Sequence, residues 1–418
     1  MPAISPTLEK TAFFGLSPRA LDDFVHGLGL SRFRGDQLRD WVYRKGVTDL
    51  AQMSNLPRLD RDKLSHVITF ETTSAIIQQH STDGTEKLLL TWPNGSNAET
   101  VMIPDDDRRT ACVSSQVGCP VGCTFCASGV NGVKGNLTAA QIVEQVYALN
   151  RLMGEAENRN TESRRHGGTK ARSGVEVSGD EATKGRSDEA NSTEEKSVIR
   201  SSASPASLRR SAPSSLIPPP SITNIVFMGM GEPLANYQNV MDAIRILHDP
   251  KCFNISARKI TVSTVGVPPK MHDLAHEDLP LNLAISLHAP TEWLRRKLIP
   301  WAEHFPINEI LDAARYYFKQ TGREITLEYI LLAGVNDQAE HARELVKVAK
   351  TLRANVNLIR YNEVTGLPYK RPEAGDVMTF QRILRAAGVN THIRKSRGRD
   401  IDAACGQLRR KQELTQLG

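Results

Sequence analysis

Three cysteines stand within eight residues, in the run Gly118-Cys119-Pro120-Val121-Gly122-Cys123-Thr124-Phe125-Cys126. Three thiolates at this C-x3-C-x2-C spacing can ligate three irons of a 4Fe–4S cubane and leave the fourth iron open to a small molecule. Gly118 and Gly122 let the backbone curl around such a body. A three-cysteine zinc site is the alternative, with His288 or His80 as a distant fourth ligand. A closed structural cluster would instead recruit Cys112, Cys252 or Cys405. The spacing is not the paired C-x2-C kind common in zinc sites, which favours the open cluster.

A second group of residues could act beside it. Cys405 lies in RDIDAACGQL close behind Arg394, Lys395 and Arg397, a basic setting that lowers a thiol pKa. Cys112 falls on an expected strand, seven residues before Cys119. A lone cysteine is ordinarily a small buried hydrophobe, and Cys252 is read that way. In GMGEPL, Gly231 permits close backbone approach and Glu232 can accept hydrogen bonds from a cationic amine. Ser263 in TVSTVG, and Ser286 with His288 in AISLHAP, close the next two β-branched runs. Taken singly, each of these is an ordinary satisfied polar residue.

The elements that must position these groups follow from periodicity. Runs beginning at Thr110, Ile222, Lys259, Leu281, Ile325 and Asn355 read as strands and alternate with amphipathic stretches. Helices are expected near Thr138–Met153, with Thr138 and Gln141 as a capping box, and at Tyr237–His248, Asn308–Gln320, Gln338–Leu352 and Val377–Ala387. About six strand–helix units imply parallel strands with right-handed crossovers, a barrel or an open sheet. Ligands of such folds sit at the strands' C-terminal ends. Residues 1–75 read as a small helical domain, with Ser17 and Ser31 as caps and basic residues at Arg32, Arg34, Arg39, Arg44 and Lys45. Residues 76–103 read as strands.

Residues 155–220 contain no Phe, Trp or Tyr, carry eleven Lys/Arg against ten Asp/Glu, and end in three prolines. Such a stretch cannot bury enough apolar surface to offset its ordering entropy and is expected to be a disordered insert. The whole chain has 418 residues, 39% hydrophobic, and a net charge of +6. The small basic excess therefore belongs to the folded parts. No run of about 18 apolar residues exists to span a bilayer. The first residues lack a secretory signal pattern, so a cytoplasmic, membrane-free protein is expected.

The ordered set ETVMIP, C-x3-C-x2-C, GMGEPL, STVG, AISLHAP, VNLIRYN and RKSRGRDIDAACGQL resembles the RlmN-type family of rRNA and tRNA adenine-C2 methyltransferases. These belong to the radical S-adenosylmethionine (SAM) superfamily, with close relatives that methylate carbon 8. The resemblance spans nearly the whole chain except the insert. It implies an α/β fold, a partial (β/α)6-type barrel over 76–154 and 221–400, with the helical domain 1–75 binding RNA and a C-terminal segment 401–418.

It also implies a mechanism. Cys119, Cys123 and Cys126 would hold the 4Fe–4S cluster. Gly231, Glu232, Ser263, Ser286, Leu287, His288 and Asn362 would contact SAM, of which two molecules are consumed per turnover. Cys405 would become S-methylated by the first, and a radical generated from the second would let that carbon add to the base. Glu99 would remove the ring proton. Cys112 would then form a transient disulfide with Cys405 and free the product. Implied partners are 23S rRNA, tRNA and an electron donor such as flavodoxin or ferredoxin, acting on a monomer. A non-enzymatic RNA-binding protein with a structural metal site is the rival reading, and it leaves Cys112, Cys405 and Glu99 without a purpose.

Overall fold

The protein is described here by a computed structural model covering residues 10–167, 221–398, 400–401 and 406–411, with the backbone alone for 156–167. Its N-terminal part is helical because short amphipathic stretches meet turn and cap signals. Two two-residue strands, β1 (Thr11–Ala12) and β2 (Ile68–Thr69), pair in parallel and clasp α1 (Pro18–Gly27), α2 (Phe33–Arg39) and α3 (Arg58–Val67). The Ser17 hydroxyl caps α1 by accepting from Ala20 N at 3.2 Å. Ser31 makes no such bond: the cap position of α2 is Arg32, and Ser31 contributes only its carbonyl, to Arg34 N. Phe13, Phe14, Leu21, Leu38, Met53 and Leu64 fill the interior.

Two of the five basic residues singled out in this region are structural. Arg39 is buried and bonded to Asp22, Asp36 and the Pro18 carbonyl, and Arg34 is held by Asp60 and Gln37. Arg32, Arg44 and Lys45 remain exposed at 61%, 72% and 44% of their side-chain area, free of the interior and paired at the surface with Asp23 and Asp40.

The rest is one ten-stranded sheet. Strands β3 (Ala75–His80), β4 (Glu86–Thr91), β5 (Asn97–Asp105) and β6 (Arg108–Cys112) are antiparallel. From β6 onward every pairing is parallel, through β9 (Asn224–Phe227), β10 (Ile260–Thr264), β11 (Asn282–Ser286), β12 (Ile325–Leu331), β13 (Ala354–Arg360) and β14 (Thr391–Arg394). A small hairpin of β7 (Gln116–Gly118) and β8 (Val133–Asn136) stands apart from it and brackets the cysteine loop. The parallel strands follow one another in sequence order, each pair joined through helices, as right-handed crossovers require. The parallel run holds seven strands, one more than periodicity marks, since β14 has only four residues. The outermost strands β3 and β14 do not pair, so the barrel is open.

The helices are α4 (Ala139–Gly167), α5 (Tyr237–His248), α6 (Pro268–Ala275), α7 (Glu292–Leu298), α8 (Ile307–Thr321), α9 (Ala339–Lys350) and α10 (Ala374–Ala386). The expected box caps α4: Thr138 N donates to Gln141 Oε1 at 3.0 Å and Gln141 N to Thr138 Oγ1 at 3.2 Å. α4 continues to Gly167, so residues 155–167 are helical rather than part of a disordered insert. A polar, aromatic-free composition reports the lack of a packing partner; Glu, Arg and Asn do not oppose a helix that is already nucleated. Residues 168–220 lie outside the described part.

The two parts are joined by aromatic packing and by one carboxylate. The Phe14 ring lies 4.7 Å from that of Tyr147 on α4, and Tyr43 lies 4.9 Å from Phe253. Glu144 of α4 is buried and accepts from the backbone N–H groups of Thr72 and Thr73, each at 2.9 Å, and from both threonine hydroxyls. Removing it strands four donors at the junction. Glu144→Ala is therefore expected to lower stability by about 3 kcal/mol, read as a lower denaturant midpoint with an unchanged slope.

Candidate functional site

The Cys119–Cys126 loop is built between β7 and β8 and pinned from several sides. Cys119 N donates to Gly132 O at 3.0 Å, Thr124 N to Leu298 O at 3.0 Å, and the Tyr361 hydroxyl to Phe125 O at 3.1 Å. The Thr124 hydroxyl meets that of Tyr369 at 2.6 Å. Val121, Phe125, Val265, Leu294 and Leu298 form an apolar wall against which all three cysteines pack. Burial pushes the Cys119 thiol up to about 12, with repulsion from Cys126 adding to it, and raises the Cys123 thiol well above its usual value, with repulsion from Cys126 and Cys119 adding to the effect. Thiolates so placed need a cationic body among them, which iron supplies.

Among the described residues no three His, Cys, Asp or Glu side chains converge on a single metal ion. A cubane asks for less convergence, because each thiolate binds a different iron. His80, offered as a zinc ligand, is exposed on β3, bonds Glu86 and is absent from the cavity lining. His288 does line the cavity. It takes a left-handed φ of 57°, accepts from Ile330 N at 3.1 Å, and packs edge-on to Phe125. Burial, helped by the nearby Arg295 charge, lowers it to about 3 and keeps it neutral.

That cavity, of about 370 Å³, opens at the C-terminal ends of the parallel strands. It brings together Glu99, Cys112, Cys119, Cys123, Cys126, Gly231, Glu232, Ser263, Ser286, His288 and Asn362. Leu287 is the exception: its side chain is fully buried in the main core, and its N–H donates to Glu328 O. Cys405 lies outside the described residues.

The Gly229–Leu234 turn carries Glu232. Its N–H donates to Gln116 Oε1, while its carboxylate accepts Leu234 N at 3.0 Å and Val265 N at 2.8 Å. Burial raises it to about 7, so an ammonium brought alongside would favour its ionised form. Ser263 and Ser286 face each other with hydroxyls 3.3 Å apart, and Asn362 Oδ1 is held by Arg371 at 2.6 Å.

Glu99 and Cys112 form the other side. Ser114 sets their height: its hydroxyl donates to Glu99 O at 2.6 Å and accepts Met230 N at 2.9 Å, while Gln145 of α4 clamps its backbone. Burial raises the Cys112 thiol, opposed by the charges of Arg394 and Lys87 and by the Met228 N–H. The C-terminal segment crosses here. Gly406 N donates to Glu99 Oε2 at 2.8 Å and Arg409 N to Oε1 at 2.7 Å. A Cβ on Gly406 would sit 2.7 Å from Ser128 Oγ and 2.8 Å from Ser128 N, so only glycine brings this segment so close to the end of the cluster loop.

Sequence reasoning missed several groups. Lys87 ion-pairs with Glu99 at 2.7 Å in the interior. Glu328 lines the cavity, with one oxygen held by Asn357 and the other without a partner among the described residues. Arg295 is buried beside the cluster loop, donates to Val265 O, and is pulled down to about 10 by burial. A charge set directly against an apolar run, Lys87 in KLLLT and Glu328 in ITLEYIL, was the available signal. For Arg295, in EWLRRKL, there was none, since its neighbour Arg296 looks the same and is exposed.

Known proteins resemble this chain along its length. Residues 11–70 match the family described as the ribosomal RNA large subunit methyltransferase N-terminal domain. The probable dual-specificity RNA methyltransferase RlmN of Salinibacter ruber is 40% identical, covering 93% of this chain and 91% of its own. That of Geobacillus thermodenitrificans is 36% identical, covering 97% and 94%. The crystal structure of a radical SAM methyltransferase from Sphaerobacter thermophilus superposes with a TM-score of 0.76 at 36% identity, over 95% of this chain and 98% of that one. With a helical domain leading into an open barrel of this kind, and with relatives that span it from end to end, the chain belongs to the RlmN family of radical SAM RNA methyltransferases.

Proposed function

We propose that this RNA methyltransferase places its methyl group on carbon 2 of a specific adenine in 23S rRNA, and of the adenine next to the anticodon in tRNA. The observation that carries the reading is that one cavity is lined by three cluster-type cysteines, by Cys112 and by Glu99, while the residue that follows Cys405 donates its N–H to Glu99. A protein that merely binds RNA around a structural metal has no use for a thiol and a carboxylate gathered beside that metal's ligands.

Cys119, Cys123 and Cys126 would hold a 4Fe–4S cluster; Gly231, Glu232, Ser263, Ser286, His288 and Asn362 would hold SAM, with Leu287 contributing only through its backbone. Together these cofactors supply reductive cleavage of SAM and hence hydrogen abstraction from an unreactive methyl group. Carbon 2 of adenine is an electron-poor amidine carbon and does not attack a methyl sulfonium directly, which is why a radical route is required. In this reading Cys405 carries the methyl group as S-methylcysteine, and its carbon, after losing a hydrogen atom, becomes bonded to the base; the unpaired electron left on the ring would return to the cluster-type cofactor held by the three cysteines, so that the adduct is closed-shell. Glu99 accepts the ring proton. Cys112 attacks the sulfur of Cys405: the S–S bond forms, the S–C bond breaks, and the released carbon takes a proton to become the product methyl group. The two cysteines leave oxidised, so an external thiol must reduce them, and a flavodoxin- or ferredoxin-like donor must reduce the cluster. The setting that supplies these donors and both RNAs is the cytoplasm, with the protein acting as a monomer.

Mass spectrometry of nucleosides from treated rRNA and tRNA tests substrate and ring position together. 2-Methyladenosine is expected; 8-methyladenosine would move the chain to the related specificity, and no modified adenosine would sink the reading. Cys405→Ala is expected to abolish methylation with the cluster's visible absorption unchanged, whereas Cys112→Ala should accumulate a protein–RNA adduct stable in a denaturing gel. Glu232→Gln replaces an acceptor by an amide whose N–H₂ meets backbone donors. It is expected to weaken SAM binding roughly tenfold or more, measured by equilibrium binding to the cluster-loaded protein.

A further inference from the structure

Lys87 has no part in the roles above, yet it is the one fully buried lysine among the described residues. It lies on β4 opposite Val101, one diagonal step from Glu99, which pairs with Leu89 on the same face. Its Nζ is 2.7 Å from Glu99 Oε2, and both side chains are within 1% of complete burial. A pair so deep is favourable only where the remaining lone pairs are also satisfied. Here Oε2 accepts Gly406 N in addition to Lys87, and Oε1 accepts Arg409 N. A carboxylate offers about four acceptor directions. Among the described residues three are used, two of them on Oε2, and the remaining direction is on Oε1.

We propose that Lys87 is a positioning residue that holds the Glu99 carboxylate turned, so that Oε2 anchors the C-terminal segment while Oε1 takes the proton. This rests on the base role of Glu99 given above. The proton passes from the ring carbon to Oε1, and the electron pair of the C–H bond stays with the ring. Glu99 then becomes neutral. Its attraction for Lys87 falls and its hold on Gly406 and Arg409 weakens, in the step before Cys112 must reach Cys405. Cys112 faces the pair from β6, and Arg394 of β14 faces Cys112, so the positive charge lost to Glu99 remains beside the resolving thiol.

The test uses the full-length, cluster-loaded enzyme with substrate RNA in single turnover, comparing Lys87→Met and Lys87→Arg. Lys87→Met is expected to cleave SAM at nearly the wild-type rate, to accumulate the covalent adduct, and to release product roughly 100-fold more slowly. The amides of Gly406 and Arg409 should exchange hydrogen faster in the same variant without RNA. Lys87→Arg, which keeps the charge, should recover most of the release rate. Lys87→Met combined with Glu99→Gln leaves no buried charge and controls for folding; it should cleave SAM yet release nothing. Wild-type release by Lys87→Met would overturn the role, as would slow release without adduct that Lys87→Arg fails to recover. No adduct even in Cys112→Ala removes the covalent scheme and this role with it. Adduct in Cys112→Ala with unimpaired release in Lys87→Met removes the role of Lys87 alone.

Discussion

A sheet whose parallel strands stop short of closing leaves two edges and an open side, and the chemistry of this chain is arranged about that opening. β14 is one edge and β3 the other. The segment that follows β14 crosses between them: Gly398 N donates to Asp83 at 2.9 Å, Thr82 N donates to Asp400 at 2.8 Å, the Ser81 hydroxyl bonds Asp400, and Arg397 meets Asp105 at 3.3 Å. A ladder would have closed the barrel permanently and filled it with side chains. Here the two edges are bridged only by individual hydrogen bonds and an ion pair, each hydrogen bond worth about 1 kcal/mol net. The C-terminal segment is thus fastened to the antiparallel extension at Asp400, through Ser81 and Thr82, and at Gly406, through Glu99.

The cavity is divided by polarity, and the division suits the two kinds of chemistry proposed for it. Around the cysteine loop the walls are apolar, His288 is kept neutral, and Arg295 bonds a backbone carbonyl. Water-poor surroundings of this sort protect a reactive radical from side reactions. On the opposite wall stand Glu99, Cys112, Arg394 and Arg397, with Lys87 buried behind Glu99. Proton transfer and thiol attack need charges that are already oriented, because such charges cost no reorganisation when the reaction occurs. Ser114 spans the two regions, tying Glu99 on β5 to Met230 in the turn before Glu232.

Much of this could be read from the chain alone, for identifiable reasons. Tyr237–His248 appears as a helix with the expected ends because its apolar positions recur every three or four residues and both ends carry turn residues. The cysteine loop, GMGEPL and the serines at strand ends were legible because each motif follows a β-branched run, and parallel strands bring such ends together. What escaped notice depends on register or depth. The Lys87–Glu99 pair exists only because β4 and β5 pair with Leu89 opposite Glu99, and register is not written in either strand. β14 is too short to show a period. Arg39 resembled its exposed neighbours until Asp22 and Asp36 were seen to enclose it. Composition marked the insert as lacking a core but could not show that α4 runs on into it.

The position of that insert follows from the direction of the strands. In a parallel unit the crossover helix starts near the C-terminal end of one strand and finishes near the N-terminal end of the next. α4 starts just beyond the cysteine loop and β8, at the cavity face, and β9 begins at Asn224, on the opposite face. The chain therefore leaves at the end of α4 and returns at Ser221 on the side away from Glu99, Cys112 and the cluster loop. In barrels the loops of that far face affect stability, while those of the near face carry chemistry. A stretch of more than fifty residues attached there can differ in length and composition while the near face keeps every group that touches the cavity.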